Sequence, residues 1–268
     1  MLSITTIQTF HENLEQLSNE LKERLIESEH PAVDKKVEMS ILGLEHLLFN
    51  HPFTPIQEKT LMKIDSIIQL AAITREAYAY YEKDMERTHA QEMLTMNTTE
   101  VTLTQPLLRR KYSLLNREAH LAHVKPMERA VVLGSGAFPI TSITLARRFG
   151  AFVSVYETNE VNQQIGNEVI QKIGLHPKVR FIQQKEIAAH LQKADAVWLG
   201  MRLEEKRKCL EEIAPILSPG TRIVCRTVYG LRTLIHEHVS TKGLTHYTKI
   251  GTIHPRKMEL ESSELFIR

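Results

Sequence analysis

The chain has 268 residues, 42% of them apolar and 25% charged, with a formal net charge of +2. That length can carry a well-buried core and two ordinary domains. The balance excludes a disordered chain or a nucleic-acid-binding polyelectrolyte, so a small-molecule partner fits better than nucleic acid. Cys209 and Cys225, the two cysteines present, are too few for a disulfide framework and lack the paired spacing of a zinc site. Both read as reduced packing residues. No apolar run reaches the roughly 18 residues of a membrane span, and residues 1–10 mix Ser, Thr and Gln with apolar residues. A cytoplasmic protein with no membrane partner is expected.

Over residues 4–27, Ile7, Phe10, Leu14, Leu17, Leu21 and Leu25 recur at helical spacing, which predicts an amphipathic helix that Pro31 ends. A second helix is expected over residues 33–49. The segment Asn50-His51-Pro52-Phe53-Thr54-Pro55 then breaks the pattern, because proline restricts both itself and its predecessor. Residues 56–93 lack Gly and Pro and predict one long helix with Leu61, Ile64, Ile67, Ile68, Ala71 and Ala72 on a broad apolar face. Thr95, Thr98, Thr99, Thr102 and Thr104 mark a linker, after which Pro106 opens a helix to about residue 123.

Past Pro126 the texture changes to short β-branched or apolar runs at residues 130–133, 152–156, 179–182, 196–199 and 222–225, with helical stretches between them. Such alternation predicts an α/β fold with a doubly wound, Rossmann-like, mostly parallel sheet. Residues 244–250 and 260–267, with no helix between them, predict an antiparallel pair at its carboxyl-terminal edge. The expected division is an all-helical domain over residues 1–125 and the sheet domain over residues 126–268.

The most informative stretch is Val131-Val132-Leu133-Gly134-Ser135-Gly136-Ala137-Phe138-Pro139-Ile140-Thr141, a buried strand entering a Gly-rich turn and then a helix. Glycines let backbone approach a ligand closely, and a helix amino terminus favours anionic or acceptor groups. Pro139 stands where a dinucleotide fingerprint needs its third glycine, which disfavours pyrophosphate. Glu157, about 20 residues on, ends the second strand, where a carboxylate can accept hydrogen bonds from both ribose hydroxyls, a device of nicotinamide and methionine-derived cofactors alike. Gln183 or Gln184 after the third strand, and Leu199-Gly200-Met201 after the fourth, would line the same carboxyl-edge crevice and bracket an adenine. Taken alone, Gly-x-Gly after a strand is a weak signal that a tight strand-to-helix turn can also explain, and Glu157 on the next strand weakens that explanation.

At Gly134-Ser135-Gly136-Ala137-Phe138-Pro139-Ile140-Thr141 the chain resembles the nicotianamine synthase family, whose turn reads Gly-Ser-Gly, two variable residues, Pro and a hydroxyl-rich helix start. Arg226-Thr227-Val228-Tyr229-Gly230 resembles the family's Arg-Ser/Thr-x-x-Gly segment after the fifth strand, and His254-Pro255 a His-Pro pair near its carboxyl end. Ile73-Thr74 followed by Glu82 matches the region of an essential glutamate in bacterial members, and Tyr112, with Glu118 behind it, resembles a substrate-site tyrosine. The linker between Glu82 and Tyr112 differs in length from those of relatives. In size the chain is similar to the short bacterial enzymes that make opine metallophores of the staphylopine and pseudopaline type.

The resemblance implies a transferase that uses S-adenosylmethionine as co-substrate. It would move the 3-amino-3-carboxypropyl (2-aminobutanoyl) arm to the α-amine of histidine, D-histidine favoured over L-histidine, and release 5'-methylthioadenosine. It places Gly134, Ser135, Gly136, Ala137, Pro139, Glu157, Gln183, Leu199 and Gly200 at the cofactor, Glu82 and Tyr112 at the reacting amine, and Arg226, Tyr229 and His254 at the acceptor. The helical domain would serve as a substrate lid, and whether it forms a homodimer stays open. A neutral thioether leaves, so no metal is required, while the attacking amine needs a nearby carboxylate.

Without the resemblance, Glu82 among Lys83, Asp84, Glu86 and Arg87 reads as part of a solvated face. Tyr78, Tyr80, Tyr81 and Tyr112 read as packing residues, and Arg226 as a surface ion pair. His120 with His123, and His236 with His238, suggest a metal, but no Cys or carboxylate cluster accompanies either pair at ligand spacing, so none is expected. A small-molecule methyltransferase on the same sheet is the alternative enzyme, and a non-catalytic S-adenosylmethionine-binding protein the alternative outside catalysis. An NAD-linked oxidoreductase ranks last for want of the third glycine.

Overall fold

A computed structural model describes residues 4–27, 33–103, 105–201, 205–256 and 258–268; Pro31 and Thr104, given roles above, lie outside the described residues. The chain divides into two compact units, Met1–Asp84 with Val228–His238, and Met85–Thr227 with Val239–Arg268.

In the first unit, helix α1 (Ile4–Leu21) closes in a π-helical turn, Lys22–Ile26, and packs against α2 (Lys35–Phe49) through buried Leu14, Leu21, Ile41 and Leu44. Asp34 caps α2, its carboxylate accepting the Lys36 and Val37 amides at 2.9 and 2.8 Å. The single helix expected over residues 56–93 is two, α3 (Pro55–Leu61) and α4 (Asp65–Thr95). Thr54 and Gln57 form a capping box with Pro55 in the first turn. The break contains neither Gly nor Pro. Instead the Lys63 and Ile64 amides reach back three residues, to Thr60 and Leu61 carbonyls at 3.1 and 3.0 Å, which tightens and ends α3.

The face of α4 also differs from expectation, since Ile64 and Ile68 are exposed. Its buried stripe is Ile67, Ala71, Thr74, Tyr78, Glu82, Met85, His89 and Met93, spaced by three and four residues. The turn Gly230–Leu234 belongs to this first unit. There the Leu231 amide donates to Glu58 Oε2 at 2.9 Å. Gly230 has φ +60°, and a Cβ on it would lie 1.7 Å from that same oxygen, so both backbone conformation and space demand glycine.

The second unit holds α5 (Pro106–Leu121) and a seven-stranded sheet. The elements follow as β1 (Arg129–Leu133), α6 (Ile140–Arg148), β2 (Phe152–Tyr156), α7 (Glu160–Lys172), β3 (Val179–Phe181), α8 (Ile187–Gln192), β4 (Ala196–Leu199), α9 (Lys206–Ile213), β5 (Arg222–Thr227), β6 (Thr248–Ile253) and β7 (Ser262–Ile267). The order is β3-β2-β1-β4-β5-β7-β6. The first five strands are parallel and β7 and β6 antiparallel, as the alternation and the helix-free tail predict. Val131, Leu133, Val197, Leu199, Ile223 and Cys225 form the core on one face with Leu210 and Phe266. Strand β6 starts four residues later than expected, because Gly243 at φ +82° and the Leu244 amide bonded to the Thr241 carbonyl turn the chain first.

Helical residues from Met85 onward are part of this unit, so the compact division does not fall at 125/126. Polar ties account for that: Arg87 Nε donates to Asn162 Oδ1 at 2.9 Å, and Arg222 Nη1 to the Ala122 carbonyl at 2.6 Å. Among the described residues, no helix is long and apolar enough to cross a membrane.

Candidate active site

Strand order reverses between β1 and β4, and the crevice beyond their carboxyl ends is where open α/β sheets take ligands. The Gly-rich turn sits there. Gly134 and Gly136 adopt φ of +78° and +70°, a region costly to any residue with a Cβ. The Gly134 amide donates to the Tyr156 carbonyl at 2.9 Å, and the Gly200 amide, after β4, to the Leu133 carbonyl at 2.9 Å. Ala137 and Pro139 are buried, Ser135 is half-buried with its hydroxyl on the Gly136 carbonyl at 3.1 Å, and Phe138 packs edge-on against His89, 4.6 Å between centroids. Burial holds the His89 imidazole below its usual range.

Glu157, the first residue after β2, is half-buried, with Oε2 accepting the Gly136 amide at 2.8 Å and Oε1 the Asn159 amide at 3.1 Å. One backbone donor per oxygen fixes the carboxylate and leaves further lone pairs on each for hydroxyl donors. These residues fit a nucleoside ribose. Leu199 is buried at the end of β4, whereas Gln183 is exposed after β3, where its amide bonds Glu186 Oε2 at 2.8 Å.

Arg226, expected at a substrate carboxylate, is buried with its fork engaged by Glu118. Nε and Nη2 each donate to that carboxylate at 2.9 Å, and Nη2 also reaches Thr141 Oγ1, in the first turn of α6, at 3.2 Å. Ser263 Oγ and Trp198 Nε1 complete the Glu118 shell at 2.5 and 3.3 Å. Burial alone would raise the Glu118 pKa, but the Arg226 charge and these hydrogen bonds outweigh it and hold the carboxyl below its ordinary 4.5. Burial would likewise depress Arg226, and the Glu118 charge outweighs that and raises it. The pair joins the Arg226 segment to the helix that follows the glycine turn. Lys206, also buried, donates to the Met201 and Arg226 carbonyls at 2.8 and 2.9 Å and so ties the ends of β4 and β5.

Tyr112 is half-buried on α5 and its hydroxyl accepts from Arg148 Nη1 at 3.2 Å. His254 is exposed, its carbonyl accepting from Arg117 Nη1 at 2.9 Å. Within the first unit, Glu82 has no solvent exposure, which overturns the solvated-face reading. Its Oε2 lies 3.8 Å from Nε2 of His236, which is also buried. Tyr78 stands edge-on to that imidazole and donates its hydroxyl to Glu45 Oε1 at 2.7 Å. Tyr229, in the same unit, packs its ring 5.1 Å from that of His238.

Sequence reasoning left Trp198, Lys206, Glu261 and Ser263 without roles and set His236 aside. For Glu82 a signal was present: Thr74, Tyr78, Glu82, Met85 and His89 follow helical spacing, which puts the glutamate on the buried stripe.

The family model described as nicotianamine synthase protein matches residues 75–264. Over 123 residues the chain is 28% identical to the L-histidine 2-aminobutanoyltransferase of Yersinia pestis, a match covering 46% of each chain. Over 135 residues it is 28% identical to nicotianamine synthase 3 of Oryza sativa subsp. indica, covering 47% of this chain and 39% of that one. The chain thus spans less than half the length of these curated relatives. In fold it is similar to MtNAS in complex with MTA and tNA, with a TM-score of 0.87 at 22% identity over 96% of this chain and 97% of that one. A mutant of MtNAS in complex with S-adenosylmethionine gives a TM-score of 0.87 at 21% identity, over 100% and 99%.

Proposed function

The chain belongs to the nicotianamine synthase family, and from that premise we propose that it transfers the 3-amino-3-carboxypropyl group of S-adenosylmethionine to the α-amine of histidine, releasing 5'-methylthioadenosine. The product would be the precursor of a nicotianamine-like opine metallophore. The observation that carries this reading is that one family match spans both the glycine turn and Glu82, a carboxylate buried beside an imidazole rather than solvated.

A sulfonium offers three electrophilic carbons, so the reaction is chosen by which of them the nucleophile meets in line at near-attack distance. The amine nitrogen bonds to the γ-carbon as the carbon–sulfur bond breaks, its electron pair returning to sulfur. The departing thioether is neutral and asks for no metal. The α-ammonium must first lose a proton, and Glu82 is assigned that proton, or the positioning of the ammonium before it leaves. Tyr112 orients the amine. Glu157 holds the ribose, and Gly134, Gly136 and Gly200 let the backbone close around the nucleoside. Because Glu118 engages the Nε–Nη2 edge of Arg226, Arg226 braces the site, while Tyr229 and His254 face the acceptor. A substrate-lid role for the helical amino-terminal region, and a cytoplasmic location, are part of the same proposal.

Histidine is supported by the name of the Yersinia relative, which specifies the L enantiomer. The sequence reading favours D-histidine, and one experiment decides both. Purified protein is incubated with S-adenosylmethionine and either enantiomer, and mass spectrometry follows by-product and acceptor. Methylthioadenosine with an aminobutanoyl-histidine adduct is expected; S-adenosylhomocysteine would make the chain a methyltransferase, and no turnover with any amino acid would leave a binding protein.

A further inference from the structure

Arg226 faces two carboxylates. It bonds Glu118 at 2.9 Å through both Nε and Nη2, while Glu261 Oε2 stands 3.8 Å from the same Nε, outside hydrogen-bond reach. That oxygen has no hydrogen-bond partner among the described residues, although Glu261 is only 5% exposed. The neighbouring buried cation, Lys111, is bonded to Glu86 at 2.9 Å. Neither the Arg226 bonds to Glu118 nor the Lys111 bond to Glu86 reaches the Glu261 Oε2 oxygen. A buried carboxylate oxygen lacking a donor is costly and marks where a donor from a ligand gains most.

Glu261 immediately precedes β7, and the pairing of Thr227 with Ser262 places it at the carboxyl end of β5, on the ligand-binding edge of the sheet. Strand β7 is three strands from β1 and four from β2. At about 4.8 Å per strand, Glu261 lies roughly 14 Å across the sheet from the glycine turn and roughly 19 Å from the strand of the ribose carboxylate. That is the side away from the nucleoside. We infer that Glu261 is a further carboxylate that binds the cationic α-ammonium of the amino-acid acceptor before Glu82 takes its proton, an inference that rests on the transfer reaction proposed above.

Glu261→Gln keeps the shape and removes the charge. Histidine is varied at saturating S-adenosylmethionine with the full chain, and cofactor affinity is measured separately by titration calorimetry. The expected result is a KM for histidine raised about tenfold or more, an unchanged cofactor Kd, and a thermal midpoint close to that of the wild type, since Arg226 keeps both hydrogen bonds to Glu118. Glu261→Asp, which keeps the charge, should fall between. An unchanged KM in folded Glu261→Gln overturns the inference, and so does loss of fold in both variants, which would make Glu261 a structural carboxylate. Wild-type protein that releases no methylthioadenosine with histidine defeats the transfer reading and this inference with it. An active wild type with an unaffected variant defeats Glu261 alone.

Discussion

A Cβ on Gly200 would lie 2.2 Å from the carbonyl oxygen of Gly134 and 3.2 Å from that of Leu133. The two chain segments leaving β1 and β4 therefore touch backbone to backbone at the point where strand order reverses, and only glycine permits it. Gly200→Ala should force the two loops apart, costing about 1–3 kcal/mol of stability and weakening S-adenosylmethionine binding. Urea unfolding and calorimetry check both. Wild-type values for each would mean that the loops yield without consequence.

Glu157 is tied to the same turn. Its Oε2 accepts the Gly136 amide, so Glu157→Ala removes the proposed ribose acceptor and frees a donor that had shaped the loop. The Kd for S-adenosylmethionine should rise about tenfold or more, with turnover at saturation changed much less. An unchanged Kd would assign the ribose to another group.

The geometry of the glycine turn was legible because its demands are local: Gly134 and Gly136 need left-handed backbone, and Glu157, which accepts the Gly136 amide, follows at strand spacing. The Arg226–Glu118 pair was not, since 108 residues separate the partners and no periodicity links a strand end to a helix so far away. The break at residues 62–64 was hidden for another reason. It is made by hydrogen bonds shortened to three residues rather than by Gly or Pro. Glu82 lay between: its charged neighbours disguised a position that the buried Thr74, Tyr78, Met85 and His89 spacing betrays.

For Glu82, Glu82→Gln preserves volume in a fully buried position while removing the proposed base. Cofactor affinity should stay near the wild-type value and turnover fall by about 10²–10⁴-fold. Near-normal turnover would take Glu82 out of the proton transfer and leave it a structural role beside His236.

The cysteines give a test independent of activity. Burial pushes the Cys225 thiol up to about 12 and Cys209 to about 11, so neither is thiolate at pH 8, and thiolate is the reactive form. Native protein should resist iodoacetamide at pH 8, and two equivalents should react once it is unfolded. Rapid labelling of the native chain at either position would show that its packing is looser than the structure describes.

Glu118 ties stability to acid pH. Its folded pKa lies below the ordinary 4.5, so as pH falls the unfolded chain takes up the proton first, and unfolding becomes easier. The stability it contributes is complete above the unfolded value near 4.5 and is lost as pH falls through the depressed folded value. Glu118→Gln strands Arg226 without its buried partner and should cost about 3–5 kcal/mol at neutral pH. It should also remove this share of the acid dependence, so that the wild-type and variant stabilities converge as pH falls below 4.5. Urea unfolding across that range measures both effects. Parallel curves at a constant offset would mean that another carboxylate carries the acid sensitivity and that the pair acts only through its packing.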